Sequence, residues 1–344
     1  MLINKLDNVE VNLDDGHKYA IRDINCGENI IKYGQPIGHA TAGIKKGEHI
    51  HTHNVKTNLS GKLEYKYDPK LYPSEKIDAV PTFMGYRRKN GRVGIRNDIW
   101  IVNTVGCVNK TAQILAEKTG AKYFPHPFGC SQLGGDMEIT QKILAGMVNH
   151  PNAGGVLVLG LGCENANIDV FKPFLGDYDT ERIRFLITQE CEDEIAEGIK
   201  IINELQEITA RDEREQISVS ELVVGLKCVG SDAFSGITAN PLVGRFCDKL
   251  SAMGGSCVLT EVPEMFGAEH LLMQRCENES VFNKAVALIN DFKDYYERHY
   301  QVIYENPSPG NKKGGITTLD EKSLVVLKRV DFPLLLTCSA AATE

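Results

Sequence analysis

Apolar residues change their spacing along this chain, and the changes mark its parts. Over residues 19–58 they come as short alternating runs broken by glycines, YAIRDI, GENIIKYGQPIGHATAGI and GEHIHTHNV, with no stretch at helical period. Alternation with glycine breaks predicts short strands and tight turns, so residues 1–59 are expected to form a small β-rich domain. Residues 60–81 are polar, carry Tyr-Asp-Pro and Tyr-Pro-Ser breakers and keep no period, which predicts a linker.

From Asp98 onward apolar runs alternate with amphipathic segments: DIWIVNTVG then KTAQILAEKTG, GGVLVLGLG then a mixed stretch, RIRFLITQ then CEDEIAEGIKIINELQEI. In the last of these Ile195, Ile199, Ile202 and Leu205 follow one another at spacings of four, three and three, which puts them on one helical face. ELVVGLK, GSCVLTEV and a long helix over residues 281–299 continue the alternation, with a break near Ser218. Strand-helix alternation predicts mostly parallel sheets covered on both faces. The expected architecture is α/β: the β-rich domain, the linker, a central α/β domain over 82–217 and the start of a further, incomplete one over 218–324.

Composition narrows the function classes. A net charge of −8 over 344 residues offers no broad basic surface, so sequence-independent nucleic-acid binding is not expected. No apolar run reaches the roughly 18 residues of a membrane helix, and the start, MLINKLDNVEVNLDD, is neither an apolar nor an Arg-rich leader, so a cytoplasmic protein without a membrane partner is expected. Ten cysteines stand singly, with no CxxC pair, which argues against a disulfide framework and against metal-finger spacing. The partner expected is a small molecule, and a homo-oligomer is compatible with this reading.

In an open parallel sheet ligands bind beyond the carboxyl ends of the strands. Cys107, Cys163 and Cys228 each follow a strand-like run, and Cys130 lies in PFGCSQLGGD, a Gly-rich loop four residues after His126. Buried packing explains any one of these thiols equally well, but their equivalent places favour a site. In Glu48-His49-Ile50-His51-Thr52-His53 a strand would project His49, His51 and His53 from one face, a spacing that suits a metal and equally an exposed polar face; His17 stands apart. GYRRKNGRVGIRN concentrates four arginines and a lysine before the first strand of the central domain, a fork-rich segment fit for a carboxylate or a solvated turn.

GYRRKNGRVGIRN, FGCSQLGGD, HPNAGGVLVLGLGCEN, GLKCVGSDAFSGITANPLVG, LTEVPEMFGAE and ENPSPGNKKGGITTL together resemble the successive motifs of the altronate/galactarate dehydratase family, and KYGQPIGHAT with GEHIHTHNVKTNL resembles its small SAF domain. The resemblance implies a hydro-lyase that takes D-altronate to 2-dehydro-3-deoxy-D-gluconate and water with a divalent metal, Fe2+ or Mn2+. Carried onto this chain, it makes His51 and His53 the first metal candidates, with His49 and His17 weaker. Cys130, Cys163 and Cys228 become candidates for catalysis or ligand binding, and Arg92 and Arg96 for holding carboxylate. Galactarate or a sulfonated hydroxy acid is the alternative substrate, and a non-catalytic sugar-acid-binding remnant the alternative of another class.

Two departures stand out. Val229 follows Cys228 where the family has glycine, which sets a branched side chain where backbone approaches a ligand. After GITTLDEKSL the chain runs VVLKRVDFPLLLTCSAAATE, unlike the family. Residues 325–338 can be encoded so that one restored G yields GCIKKGGLSPVVDV, which resembles the family's continuation. Residues 325–344 are therefore expected to be a frameshifted tail, and the chain as it stands to have little activity.

Overall fold

The computed structural model describes residues 1–70, 77–227 and 230–327. These form two compact units, one built from residues 1–80 and 219–344, the other from 81–218.

The chain opens with six short strands: β1 (Val9–Val11), β2 (Lys18–Ala20), β3 (Asn29–Lys32), β4 (Gln35–Ala40), β5 (His49–Ile50) and β6 (Val55–Lys56). They make two antiparallel sheets of order β1-β2-β5 and β3-β4-β6. Alternation does what the pattern predicts: Ile30, Ile37 and Ile50 are fully buried, and Ile24 and Ile44 pair across the gap between sheets. Lys18 and Lys32 also occupy inward positions, and both are fully buried.

The second unit comprises β7 (Thr82–Arg87), β8 (Val93–Gly94), β9 (Asp98–Asn103), α1 (Asn109–Thr119), β10 (Lys122–Phe124), α2 (Gly134–Val148), β11 (Ala153–Gly160), α3 (Ile168–Phe171), β12 (Ile183–Ile187), α4 (Glu194–Thr209) and β13 (Glu215–Ser218). Its main sheet is parallel, of order β10-β9-β11-β12, and is covered on one face by α1 and α4 and on the other by α2 and α3. Seven consecutive residues of β11, from Gly154 to Gly160, are buried, as a strand with helices on both faces requires. Asp193 caps α4 by accepting from Ile195 N and Ala196 N, and Ile202 and Leu205 are its buried anchors. The strand order reverses between β9 and β11, which makes the carboxyl edge there the crevice where such sheets bind ligands.

The first unit resumes with β14 (Val223–Leu226), α5 (Ala239–Ala252), β15 (Ser256–Leu259), α6 (Glu269–Met273), α7 (Glu279–Arg298), α8 (Pro309–Lys313) and α9 (Leu319–Leu327). β14 and β15 form a two-stranded parallel sheet. The expected helix over 281–299 is α7, whose Val281, Phe282, Ala285 and Ile289 face the core. That core is continuous with the N-terminal sheets: Ile30, Ile37 and Ile50 belong to one cluster with Leu226, Phe266, Phe282 and Leu319. Residues 60–70, expected as linker, hold no regular element, yet Tyr65 and Tyr67 pack on this core and the Tyr65 hydroxyl donates to Glu269 Oε1 at 2.5 Å. Val325, Val326 and Leu327 complete α9 and are buried, while residues 328–344, and with them most of the expected frameshifted segment, lie outside the described residues. Among the described residues no helix is long and apolar enough to cross a membrane.

Candidate functional site

The four N-terminal histidines converge. Residues 51–54 turn rather than extend β5, because Asn54 closes a loop on them: its side chain accepts from His51 N at 2.9 Å and donates to His49 O at 3.0 Å. His49, His51 and His53 still gather, with ring centroids 5.6 Å apart for His49–His51 and for His49–His53. His17, isolated in sequence, joins them because β2 pairs with β5 in the register Lys18 to Ile50. Its ring lies 4.9 Å from that of His49 and 5.3 Å from that of His51.

The C-terminal segment of residues 312–317 borders this cluster. His17 Nε2 reaches Lys313 O at 3.3 Å, and His51 Nε2 reaches Lys312 O at 2.9 Å. A carbonyl only accepts, so each neutral ring carries its proton on Nε2 and presents Nδ1 as an acceptor. His17 Nδ1 then accepts from His49 Nε2 at 2.9 Å. Burial, reinforced by Lys18, lowers the His51 pKa to about 4, and burial followed by the charges of His17 and His53 lowers that of His49. Both rings are therefore neutral at neutral pH, the state a metal requires of an imidazole. Gly315 makes the segment's approach possible: its φ is +90°, and a Cβ there would stand 2.6 Å from Gly16 O. Gly315→Ala is expected to destabilise the fold by about 1–3 kcal/mol, read as a lower thermal midpoint, and an unchanged midpoint would contradict the close approach.

Behind the cluster lies a buried charge triad. Glu321 is fully buried, with Oε1 2.7 Å from Lys32 Nζ and Oε2 2.9 Å from Lys18 Nζ. Oε2 also accepts from Thr317 N at 2.7 Å. Burial pushes the Glu321 carboxyl up, but the two lysines outweigh it and hold the pKa at about 2. A carboxyl depressed in the fold binds fewer protons than it does unfolded, so its stabilisation is complete above pH about 4.5 and is lost as the pH falls through about 2. Thermal midpoints measured between pH 5 and 2.5 are expected to fall, and Glu321→Gln to remove part of that slope; equal slopes in the two chains would contradict it.

In the second unit, three of the thiols singled out from sequence share the carboxyl edge of the parallel sheet. Cys107 follows β9, Cys130 follows β10 and Cys163 follows β11, and all are exposed. Their loops touch: Asn165 N donates to Cys130 O at 2.9 Å, and Gly106 N donates to Phe128 O at 2.8 Å. Glu164, missed as an individual candidate, is buried across the switch point. Its Oε1 accepts from Thr104 Oγ1 at 2.6 Å, and its Oε2 accepts from Gly162 N at 2.7 Å. Burial pushes its carboxyl up, yet these donors hold it below the usual carboxylate range. Cys228 and Val229 lie outside the described residues.

The arginine-rich segment sits at the other end of this sheet, ahead of β9, so a ligand within this unit meets either the thiols or the arginines. Arg88 is structural there, donating to Pro151 O at 2.8 Å, Asn97 Oδ1 at 2.9 Å and Arg96 O at 3.0 Å. Arg87 pairs with Glu215 at 2.8 Å. Arg92 and Arg96 are exposed. A signal for the buried lysines was present in the chain: a lysine at an inward position of an alternating strand must find a partner.

The order of parts, a small β-rich SAF module, a domain on a four-stranded parallel sheet and a further α/β portion sharing the module's core, defines a modular α/β protein with a histidine cluster in one unit and a switch-point crevice in the other. Three family models match it in succession: the altronate/galactarate dehydratase SAF domain over residues 2–58, the D-galactarate dehydratase/altronate hydrolase second domain over 85–210, and the D-galactarate/altronate dehydratase C-terminal domain over 219–333. The chain belongs to the altronate/galactarate dehydratase family. It is 53% identical over 327 residues to an altronate dehydratase of Bacillus subtilis, covering 92% of this chain and 66% of that protein. Against an altronate dehydratase of Escherichia coli it is 52% identical over 320 residues, covering 90% and 65%. Against the (2R)-sulfolactate sulfo-lyase subunit beta of Chromohalobacter salexigens it is 34% identical over 259 residues, covering 72% and 64%. The chain thus spans just under two thirds of the length of the curated relatives it matches.

Proposed function

We propose that this protein acts as a hydro-lyase on a sugar acid, converting D-altronate to 2-dehydro-3-deoxy-D-gluconate and water with the help of Fe2+ or Mn2+. The observation that carries the reading is the meeting of His17 Nδ1 and His49 Nε2 at 2.9 Å, in a chain 53% identical to an altronate dehydratase.

The fit to a metal is that of a pair. His17 Nδ1 and His49 Nε2, 2.9 Å apart, are the two nitrogens that would hold the ion together. Among the described residues no three His, Cys, Asp or Glu side chains form a ready ligand group, so the pair is what this unit itself would offer the ion. His53, stacked on His49, is the further candidate, whereas His51, equally close, has both nitrogens engaged. When bound, the metal supplies Lewis-acid stabilisation of charge on the oxygens of the acid. The residues of the chain do the rest: the proton His49 carries on Nε2 would shift to its Nδ1, freeing the two facing nitrogens, and the carbonyls of Lys312 and Lys313 orient His51 and His17. Cys130 and Cys163 are the proposed reacting or ligand-binding groups of the second unit, with the Glu164 carboxylate held between Thr104 and the Cys163 loop. Arg92 and Arg96 offer a separate carboxylate-binding end.

A panel assay tests this. With the reading frame restored after Leu324, the anaerobic protein with Fe2+ or Mn2+ is expected to form 2-keto-3-deoxy acid from D-altronate, at least about tenfold faster than from galactarate. Turnover of galactarate or of sulfolactate in preference to altronate would overturn the substrate assignment. The 34% identity to a sulfolactate lyase subunit makes the sulfonated acid the second reading.

A further inference from the structure

The hydrogen bonds of His51 differ in kind from those of its neighbours. Its Nε2 donates to Lys312 O at 2.9 Å and its Nδ1 lies 3.1 Å from Thr317 Oγ1, so both nitrogens are engaged by the C-terminal segment. Thr317 Oγ1 is itself the acceptor of a 2.5 Å hydrogen bond from Lys18 Nζ. With the ammonium donating into the hydroxyl oxygen, the Thr317 proton is free to point at His51 Nδ1, the nitrogen that the Lys312 carbonyl leaves unprotonated. Lys18 is in turn fixed by Gly315 O at 2.8 Å and by Glu321 at 2.9 Å. The chain of donors therefore runs from a buried ammonium through a buried hydroxyl into one nitrogen of one imidazole and out through the other to a backbone carbonyl. Lys18 and Thr317 do not touch the nitrogens of His17 and His49 that meet.

We propose that Thr317, oriented by Lys18, is a positioning residue that fixes His51 as its Nε2–H tautomer, and that His51 in this state is a latch fastening residues 312–317 beside His17 and His49, not a metal ligand. The inference deepens the metal-dependent reading of the same cluster and rests on it only for the statement about ligation. A latch explains why two carbonyls in succession, of Lys312 and Lys313, face two different imidazoles: the strap is held at His51 and thereby orients His17.

The test reads tautomers directly, by 15N–1H correlation of histidine-labelled full-length protein, with Zn2+ as a diamagnetic metal probe. In the unaltered chain His51 is expected to show the Nε2–H pattern. Thr317→Val, which keeps shape and loses the hydroxyl, is expected to convert at least about half of His51 to other forms, while Thr317→Ser restores the pattern. Zn2+ is expected to shift His17 and His49 and leave His51 in place. An Nδ1–H His51 in the unaltered chain, an unchanged tautomer in a folded Thr317→Val variant, or coordination shifts at His51 would overturn the proposal. If Zn2+ moves none of the histidines while the tautomer responds to Thr317→Val, the latch stands and the metal reading fails. Should Thr317→Val fail to fold, Thr317→Ser at the Nε2–H pattern and Thr317→Ala at a mixed one give the same decision.

Discussion

Replacing either member of the converging imidazole pair, as His49→Ala or His17→Ala, is expected to weaken Mn2+ binding by more than the roughly 100-fold that loss of an outer partner costs a metal site. The pair is the place where two nitrogens already stand at ligand spacing, and a change of the His49 tautomer from Nε2–H to Nδ1–H would free both for a cation. Binding measured by calorimetry on the purified chain separates this from activity. His53→Ala is expected to have a smaller effect, since its ring stacks on His49 at 29° and reaches no partner in the segment of residues 312–317. Full Mn2+ affinity in His17→Ala and His49→Ala would remove the cluster as a metal site.

Glu321→Gln is expected to destabilise the protein by about 3–5 kcal/mol, because it leaves two buried ammonium groups facing a neutral amide. For a unit of this size that is a fall in thermal midpoint on the order of 10 °C. The direction follows from desolvation: the lysines are buried between the N-terminal sheets and α9, and among the described residues Glu321 is the carboxylate that pairs with both. Replacing Lys18, Lys32 and Glu321 together with methionine is expected to recover most of the loss, since well-packed apolar side chains need no ionic partner. A Glu321→Gln protein melting with the unaltered chain, or a triple variant no better than the single one, would show that the triad is not what joins these elements.

Much of the fold was legible along the chain. The uninterrupted apolar run of β11 and the four-three-three spacing in α4 are local patterns that depend on residues a few positions apart, and they folded as their periods dictate. The equivalence of Cys107 and Cys163 was legible for the same reason, since each follows a strand and parallel strands end on one edge. Cys130, read as part of a Gly-rich loop, follows the short strand β10 onto that edge, and Cys228 lies outside the described residues. The strand expected over His49 to His53 was not, because the Asn54 side chain competes for the backbone and bends it. Within the arginine segment, Arg87 and Arg88 engage Glu215, Pro151 and Asn97, partners that only the folded chain supplies, while Arg92 and Arg96, the two expected to hold carboxylate, are exposed.

By itself the sequence determined the order of the parts, the period of each element and the motifs that place the chain in its family. It could not determine which histidines meet. His17 and Lys313 are 296 positions apart, and Lys18 and Thr317 are 299 apart. Those contacts exist because the N-terminal sheets and the C-terminal helices bury their apolar faces in one core, and burial fixes which polar groups are left facing each other. The tertiary structure thus decided that His17 ranks with His49, that His51 is occupied at both nitrogens, and that two inward lysines share one glutamate.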